Sequence, residues 1–429
     1  MNVLIIGGGG RENAISKSFI KNKNVRLYSI MEYKNQDILK NCTNFLITKE
    51  NDLKKIIDFI KKNKIDLVFI GPEAPLETDL VDILLNENII TIGPRRCCAK
   101  IETDKSWMRK FIDKYNLKCN PKYKIIDYKD PNSLKIAYEY IDIMKDVAIK
   151  PIGLSGGKGV KVIGNQLQSI SDAKNYVKYL LEKESVIIEE KMNGDEYTLQ
   201  AFVDGTHLLF CPLVKDYKRL LNNNDGENTG GMGSYTDFNH LLPFINKEIL
   251  EKSKKIMENT IKYLYLETGF KYKGILYGQF ILTNKNEIKL VEYNARFGDP
   301  ESINILSLLK TDFLKICLSI YYEYLDKIKI DFIQKATVCK YLVPKGYPNN
   351  SIINQEINIK KDCNDKDIET YFANVNFLEN RIYTTKSRSI AVIGIGDSIY
   401  EAEKKVENFI LKNGDSKLYH RSDIGKLLK

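Results

Sequence analysis

The stretch VEYNARFGDPES (Val291–Ser302) holds the residues whose types and spacing best suit chemistry. Glu292 and Asn294 are two apart on a predicted strand over 288–294, so their side chains leave the same face. A carboxylate and an amide oxygen side by side are hard donors, suited to a divalent cation that carries nucleotide phosphates. Arg296 lies just beyond them, placed to neutralise charge on a transferring phosphoryl group. Asp299-Pro300 then makes a rigid turn. A surface strand end closed by a salt bridge would carry the same residues.

A second set of residues suits phosphate. In PIGLSGGKGV (Pro151–Val160) only three residues, not four, separate Gly153 from Gly157-Lys158, and Gly159 stands where a P-loop needs Ser or Thr. The segment also joins strand to strand, whereas a P-loop leads into a helix. Gly153, Gly156, Gly157 and Gly159 around Lys158 therefore read as a mobile hairpin closing over ATP phosphates, with Lys150 reaching them as a point charge. In VIIEE, Glu189 and Glu190 point to opposite faces of a strand. One can meet an adenine amino group or ribose, while the other is solvated or paired. Glu196 can accept from ribose hydroxyls.

Near the start, Gly7-Gly8-Gly9-Gly10-Arg11 sits between a first strand and a first helix. Glycines there let backbone approach a phosphate, and the helix N-terminus and Arg11 supply donors. A tight turn without a ligand would use the same glycines. The dinucleotide fingerprint fails, because Glu12 stands at its third glycine, which leaves a nicotinamide-dependent dehydrogenase as a weak alternative. GPEAPL (Gly71–Leu76) places Glu73 at the end of a later strand, in reach of an amine or sugar hydroxyls. NTGGMGSY (Asn228–Tyr235), preceded by Asp225-Gly226, offers Asn228 and the amides of Gly230 and Gly231 to a small carboxylate or ribose phosphate. Met232 and Tyr235 are atypical of a disordered linker.

Strand–helix alternation over the first hundred residues (strands at Val3–Gly7, Val25–Ile30, Asp66–Pro72 and Ile89–Pro94) predicts a doubly wound parallel sheet. Its ligands would sit at the carboxyl ends of the strands. A helix is expected over 103–115, then the glycine hairpin, a helix over 172–183, and a hairpin at Asp204-Gly205. A polar loop over 218–234 precedes a helix over 246–268 and a further hairpin over 275–294. From about 331, strands KATVCKYLV and RSIAVIG with a helix over 397–411 suggest a smaller α+β unit.

Composition narrows the classes. The hydrophobic share of 43% and charged share of 28% are those of an ordinary globular chain. No apolar run approaches the roughly 20 residues of a membrane span, and no signal-peptide n-region precedes MNVLIIGGGG, so a cytoplasmic location is expected. The eight cysteines include no C-x-x-C pair, and the three histidines lie far apart. Free thiols are expected, and neither zinc nor a His-dependent triad has support. The net charge of +10 is spread among acids without a Lys/Arg block, which argues against nucleic acid and leaves anionic small substrates.

These motifs occur in one order. GGRE, GPEAPL, a glycine–lysine hairpin, an EE strand, NTGGMG and VEYNARFGDPE, with KGYP (Lys345–Pro348) and HRSDIG (His420–Gly425), resemble the phosphoribosylamine–glycine ligases of the ATP-grasp superfamily over the whole length. The resemblance implies three units: a doubly wound domain (1–102), a two-lobed ATP-grasp core (103–330, mobile lobe about 120–192) and a small α+β domain (331–429). It implies a ligase joining glycine to 5-phosphoribosylamine with ATP, through glycyl phosphate, as a monomer or weak oligomer. Position by position, the ATP site would include Lys105, Lys150, the 153–159 loop with Lys158, Glu189, Glu190 and Glu196. Glu292 and Asn294 match the ligands of Mg2+ or Mn2+, and Arg296 with Lys158 the charge-neutralising groups. Gly9, Gly10, Arg11, Glu73, Asp225, Asn228, Gly230, Gly231, Arg296 and Asp299 match loops that face the substrates. Asn13, Ile152, Tyr217 and Gln279 depart from the usual pattern, which has His, an acid, His and often an acid there. Another ATP-grasp carboxylate–amine ligase, or a nucleotide-binding scaffold, would share the core without this full set.

Overall fold

The computed structural model describes residues 1–154, 159–359 and 365–426. β1 (Asn2–Ile6), α1 (Gly10–Ile20), β2 (Arg26–Met31), α2 (Gln36–Leu39), β3 (Cys42–Ile47), α3 (Leu53–Asn63), β4 (Leu67–Ile70), α4 (Leu80–Asn86) and β5 (Ile90–Ile92) come first. The strands form a parallel sheet in the order β3-β2-β1-β4-β5. β3 is the strand that sequence reading passes over. It is an edge strand with four exposed residues out of six, so no buried apolar run announces it. α3 buries Ile56 and Ile60 and ends at Lys64 in the left-handed region. The chain reverses direction in the sheet between β1 and β4, and the carboxyl ends of those two strands carry the GGGGR and GPEAPL loops. That crevice is where such a sheet binds ligands.

The helix expected over 103–115 is α6 (Lys105–Lys114), and a further helix not expected from the sequence, α5 (Arg96–Thr103), precedes it. Asp104 separates them in an extended conformation and caps α6, accepting from Trp107 N at 2.9 Å. Then follow β6 (Tyr123–Ile126), α7 (Ser133–Met144), β7 (Val147–Pro151), β8 (Lys161–Val162), α8 (Ile170–Leu181) and β9 (Val186–Glu190). Their sheet, β6-β9-β7-β8, buries Val147, Ile149, Val186 and Ile188 in a core of its own. The glycine segment joins β7 to β8, strand to strand as expected, although residues 155–158 within it lie outside the described residues.

Next come β10 (Gly194–Asp204), β11 (Leu208–Phe210), β12 (Lys215–Asp216), β13 (Arg219–Leu221), β14 (Asp225–Asn228), β15 (Gly233–Thr236), α9 (Lys247–Thr268), β16 (Lys273–Thr283) and β17 (Ile288–Asn294). The Asp204-Gly205 hairpin forms, and β11-β10-β16-β17 make an antiparallel sheet. The expected polar loop over 218–234 is instead ordered: β13 pairs with β14, and Met232 and Tyr235 are buried. After α10 (Glu301–Leu308) and α11 (Phe313–Tyr321) run β18 (Ala336–Pro344), β19 (Glu356–Ile357), β20 (Ile368–Phe372), β21 (Val375–Leu378), β22 (Arg381–Thr384), β23 (Ile390–Gly396), α12 (Ile399–Asn413) and β24 (Leu418–Tyr419). The last large sheet has the order β12-β15-β18-β23-β20, so two strands of the central unit pair into it across residue 331. An aromatic cluster ties the units together: Phe69 lies 6.3 Å from Phe297, Phe202 lies 5.8 Å from Phe297, and Phe19 lies 4.8 Å from Phe313.

The lobes around the glycine hairpin are joined by a buried ion cluster. Arg109 of α6, fully buried, holds Glu189 of β9 through Nε (2.7 Å) and Nη2 (3.1 Å). It also donates to the carbonyls of Leu290 (2.9 Å) and Val291 (2.8 Å) on β17. Breaking a pair of this kind strands a buried charge, at about 3–5 kcal/mol. Arg109→Ala is therefore expected to lower stability in equilibrium urea unfolding by that amount; a loss under about 1 kcal/mol would place the cohesion of the lobes elsewhere.

Candidate active site

The ends of β1, β4 and β17, the start of α6 and the loops around β12 and β14 open into one cavity of about 380 Å3. Gly9, Arg11, Glu73, Lys105, Gly230, Glu292, Asn294, Arg296 and Asp299 line it, so nine of the residues singled out in the sequence come together. Gly153 and Gly159 adjoin the lining residues Leu154 and Val160; Gly156, Gly157 and Lys158 lie outside the described residues. Gly10, Lys150, Glu189, Glu190, Glu196, Asp225, Asn228 and Gly231 do not line it.

Arg296 is held where three segments meet. Its Nη2 lies 2.9 Å from Glu102 Oε1 and donates to Asn294 Oδ1 at 3.2 Å, and its Nη1 donates to Phe297 O at 3.1 Å. Nε lies 3.3 Å from Glu73 Oε2 yet makes no hydrogen bond among the described residues. A buried guanidinium with an idle donor has capacity for a ligand oxygen. Glu102 also accepts from Ala295 N at 2.6 Å, and burial pushes its carboxyl up to about 7 against the pull of Arg296.

Burial alone would raise Glu292, but Lys218, Lys150, Lys105 and Arg296 together bring it down to about 2. The Lys218 ammonium lies 3.6 Å from Glu292 Oε1 and donates to Gln279 Oε1, the residue opposite Glu292 on β16. A cation thus already bridges a carboxylate and an amide oxygen at the strand end. With Asn294 Oδ1 on the same face, these are oxygen donors of the kind a hard divalent cation takes, and the residues present fit one. Among the described residues no cluster of three or more His, Cys, Asp or Glu is arranged for a metal.

Lys105 Nζ donates to Gly153 O at 2.7 Å, joining α6 to the root of the glycine hairpin. Lys150 lies 2.7 Å from Glu189 Oε2, which Arg109 also holds, so Glu189 is saturated and serves to position Lys150. Glu190, on the other face, accepts from Lys122 N at 2.9 Å. Glu196 accepts from Gln279 Nε2. Asn228 Nδ2 donates to Val160 O at 3.1 Å, while Asp225 stays exposed on the hairpin.

The glycine run serves internal packing as much as any ligand. A Cβ on Gly10 would stand 2.1 Å from Tyr341 Oη, and Gly7, at φ +115°, faces the Glu12 side chain. Glu12 caps its own helix by accepting from Gly9 N at 2.8 Å, and it pairs with Arg11 Nε at 2.5 Å. The residue that breaks the dinucleotide fingerprint thus fills the space beneath it.

Residues the sequence did not mark complete the cavity. Arg388 reaches in from the last unit, donating to Gly230 O (2.7 Å), Gly231 O (3.1 Å) and Asp299 Oδ2 (2.9 Å). Tyr341 Oη donates to Asp299 Oδ1 at 2.5 Å. Asp216 keeps Oδ1 buried without a hydrogen bond among the described residues, and burial pushes its carboxyl up to about 7 despite Lys218. Asp216 and Lys218 belong to the DYKR run noted only for Tyr217, whereas Arg388 sits in no local pattern. Of the four departures, Asn13 faces away, donating to Asp37 and to Phe372 O, and Tyr217 stacks under Arg421.

Known proteins share this arrangement along the whole chain. Models of the phosphoribosylglycinamide synthetase N domain, ATP-grasp (A) domain and C domain match residues 1–102, 103–302 and 337–427. The chain is 49% identical to a phosphoribosylamine–glycine ligase of Methanosarcina barkeri, over 99% of this chain and 96% of that protein. It is 45% identical to one of Methanococcus maripaludis, over 100% and 97%. A crystal structure of phosphoribosylamine–glycine ligase from Thermotoga maritima superposes with a TM-score of 0.79 at 25% identity, covering 99% of this chain and 100% of that one. With three family models in chain order over residues 1–302 and 337–427, the chain belongs to the phosphoribosylglycinamide synthetase family.

Proposed function

We propose that this chain is an ATP-dependent ligase that joins glycine to 5-phosphoribosylamine, giving glycinamide ribonucleotide, ADP and phosphate. Membership of the family supports the reaction. One observation supports the substrate class independently: among the described residues, a buried guanidinium nitrogen (Arg296 Nε, at ion-pair distance from Glu73) and a buried carboxylate oxygen (Asp216 Oδ1), both in residues lining one cavity, make no hydrogen bond. An unused donor for a carboxylate and an unused acceptor for an ammonium match a small zwitterionic amino acid.

The chemistry follows in two displacements. A carboxylate oxygen of glycine attacks the γ-phosphorus of ATP, the bond to the β-phosphate oxygen breaks, and ADP leaves. The amine of phosphoribosylamine then attacks the acyl carbon of glycyl phosphate; phosphate departs with the electron pair and takes up one amine proton. No side chain becomes covalently attached, so rate comes from positioning and charge neutralisation. Lys105 and Lys150, with the 153–159 loop and its Lys158, hold ATP phosphates in this reading. Glu196 and Glu190 serve the nucleoside end, and Glu189 acts through Lys150. Arg296 faces the carboxylate and the phosphoryl group in flight. Gly9, Arg11 and Glu73, with the 225–231 loop and Asp299, face phosphoribosylamine and glycine. Glu292 and Asn294 would hold Mg2+ or Mn2+, which when bound neutralises phosphate charge. A cytoplasmic location and a monomer or weak oligomer complete the reading.

Two outcomes are expected. With Mg2+, ATP and glycine, ADP accumulates only when freshly generated phosphoribosylamine is added, with one glycinamide ribonucleotide per ADP; ADP release that ignores the amine would refute the assigned acceptor. Glu292→Ala keeps the native circular dichroism spectrum but lowers kcat by about 100-fold or more, since several kcal/mol of charge stabilisation are lost. Turnover near that of the parent would remove Glu292 from the metal site.

A further inference from the structure

Lys218 stands in the short connection between β12 and β13, with no helix or long strand to fix it, yet its ammonium must meet Glu292 and Gln279. Its own carbonyl is held by Thr229, through N (2.7 Å) and Oγ1 (2.8 Å). Both sequence neighbours are held by one other side chain, Arg421, which lies about 200 positions further on. The Arg421 guanidinium sits 4.9 Å from the centre of the Tyr217 ring, and Nη1 donates to Arg219 O at 3.0 Å.

Arg421 is itself fully buried, and four of its five N–H donors meet acceptors among the described residues. Asp423 takes Nε and Nη2 at 2.9 and 2.7 Å, and Asn224 Oδ1 takes Nη2 at 3.0 Å. The adjoining residues grip the same hairpin tip: Asn222 Nδ2 donates to Ser422 Oγ at 3.0 Å, and Asn223 N donates to Asp423 Oδ2 at 2.9 Å. The far strand of that hairpin carries Asn228, which meets Val160 at the described edge of the glycine hairpin. A planar fork with five donors can satisfy a carboxylate, a carbonyl and an amide together while stacking on a ring; a lysine cannot.

We propose that Arg421 is a positioning residue for the reaction: it lines no part of the cavity, but by clamping Tyr217 and Arg219 it sets where the Lys218 ammonium stands against Glu292 and the nucleotide phosphates. This rests on the ligase reading of the cavity. A purely structural staple would lower the unfolding temperature of a variant and leave each folded molecule fully active.

The test uses Arg421→Lys and Arg421→Met in the full chain. Unfolding midpoint, kcat, KM for ATP, the ratio of ADP to amide product, and MgADP affinity by calorimetry are measured together. In folded Arg421→Lys, kcat is expected to fall and MgADP to bind more weakly, each by about tenfold, as when groups that orient site ligands are removed. The ratio of ADP to amide is expected to rise above that of the parent as misplaced phosphoryl groups are lost to water. Parent-like kcat, ratio and MgADP affinity in a folded variant would overturn the proposal, whatever the unfolding midpoint. Where Arg421→Met does not fold, Arg421→Lys decides. A parent protein that forms no amide would refute the ligase reading, while its MgADP affinity against that of Arg421→Lys still decides the positioning role.

Discussion

The cavity removes an unusual amount of charge from bulk water, and the rest of the structure answers to that constraint. Among the described residues, eight carboxylates (Glu12, Glu50, Glu73, Glu102, Asp216, Glu292, Asp299 and Glu301) and five basic groups (Arg11, Lys105, Lys218, Arg296 and Arg388) line it. Desolvating ions is costly unless each finds an opposite charge and hydrogen bonds. The five cations do find partners, but the acids outnumber them. Glu102 and Asp216 near 7 and Glu50 near 8 are each raised chiefly by burial, and the cations beside them do not bring them back to the usual carboxylate range. A site short of cations is matched by ligands that bring them: an amine, an ammonium and a divalent ion travelling with phosphate.

No single unit could support such a site. The parallel sheet brings Arg11 and Glu73 on two loops at its reversal point. The antiparallel sheet brings Glu292 and Asn294 at a strand end. The last sheet brings Arg388 and Tyr341, which hold Asp299 and the Gly230–Gly231 carbonyls in place. Because β12 and β15 pair into that last sheet, Asp216 and the loop before Gly233 are anchored by backbone hydrogen bonds from two directions. The aromatic rings of Phe19, Phe69, Phe202, Phe297 and Phe313 pack against one another across the units.

Much of this was legible in the chain, for identifiable reasons. Strands with buried apolar runs, such as β1, β4 and β16, declared themselves, as did residues whose meaning is local: Glu292 and Asn294 two apart, glycines beside Lys158, Glu73 in a proline loop. The edge strand β3 did not, because its exposed residues have no periodicity. Nor did the β13–β14 hairpin, whose polar residues are ordered by Arg421, Ser422 and Asp423 from the far end of the chain. Arg388 and Glu102 were missed for the same physical cause: each acquires its role from partners distant in sequence, to which spacing is blind. The glycine run was read as room for a ligand; part of that room belongs to Tyr341 and Glu12.

The central claim is that this cavity activates a carboxylate by moving a phosphoryl group onto it. Glycine labelled with 18O in both carboxylate oxygens tests it directly, by mass analysis of the phosphate released during turnover with ATP and phosphoribosylamine. Transfer of one 18O to each phosphate is the expected result, since the oxygen that attacks phosphorus leaves with it when the amine arrives. Unlabelled phosphate, with the departing carboxylate oxygen released as labelled water, would contradict an acyl phosphate route.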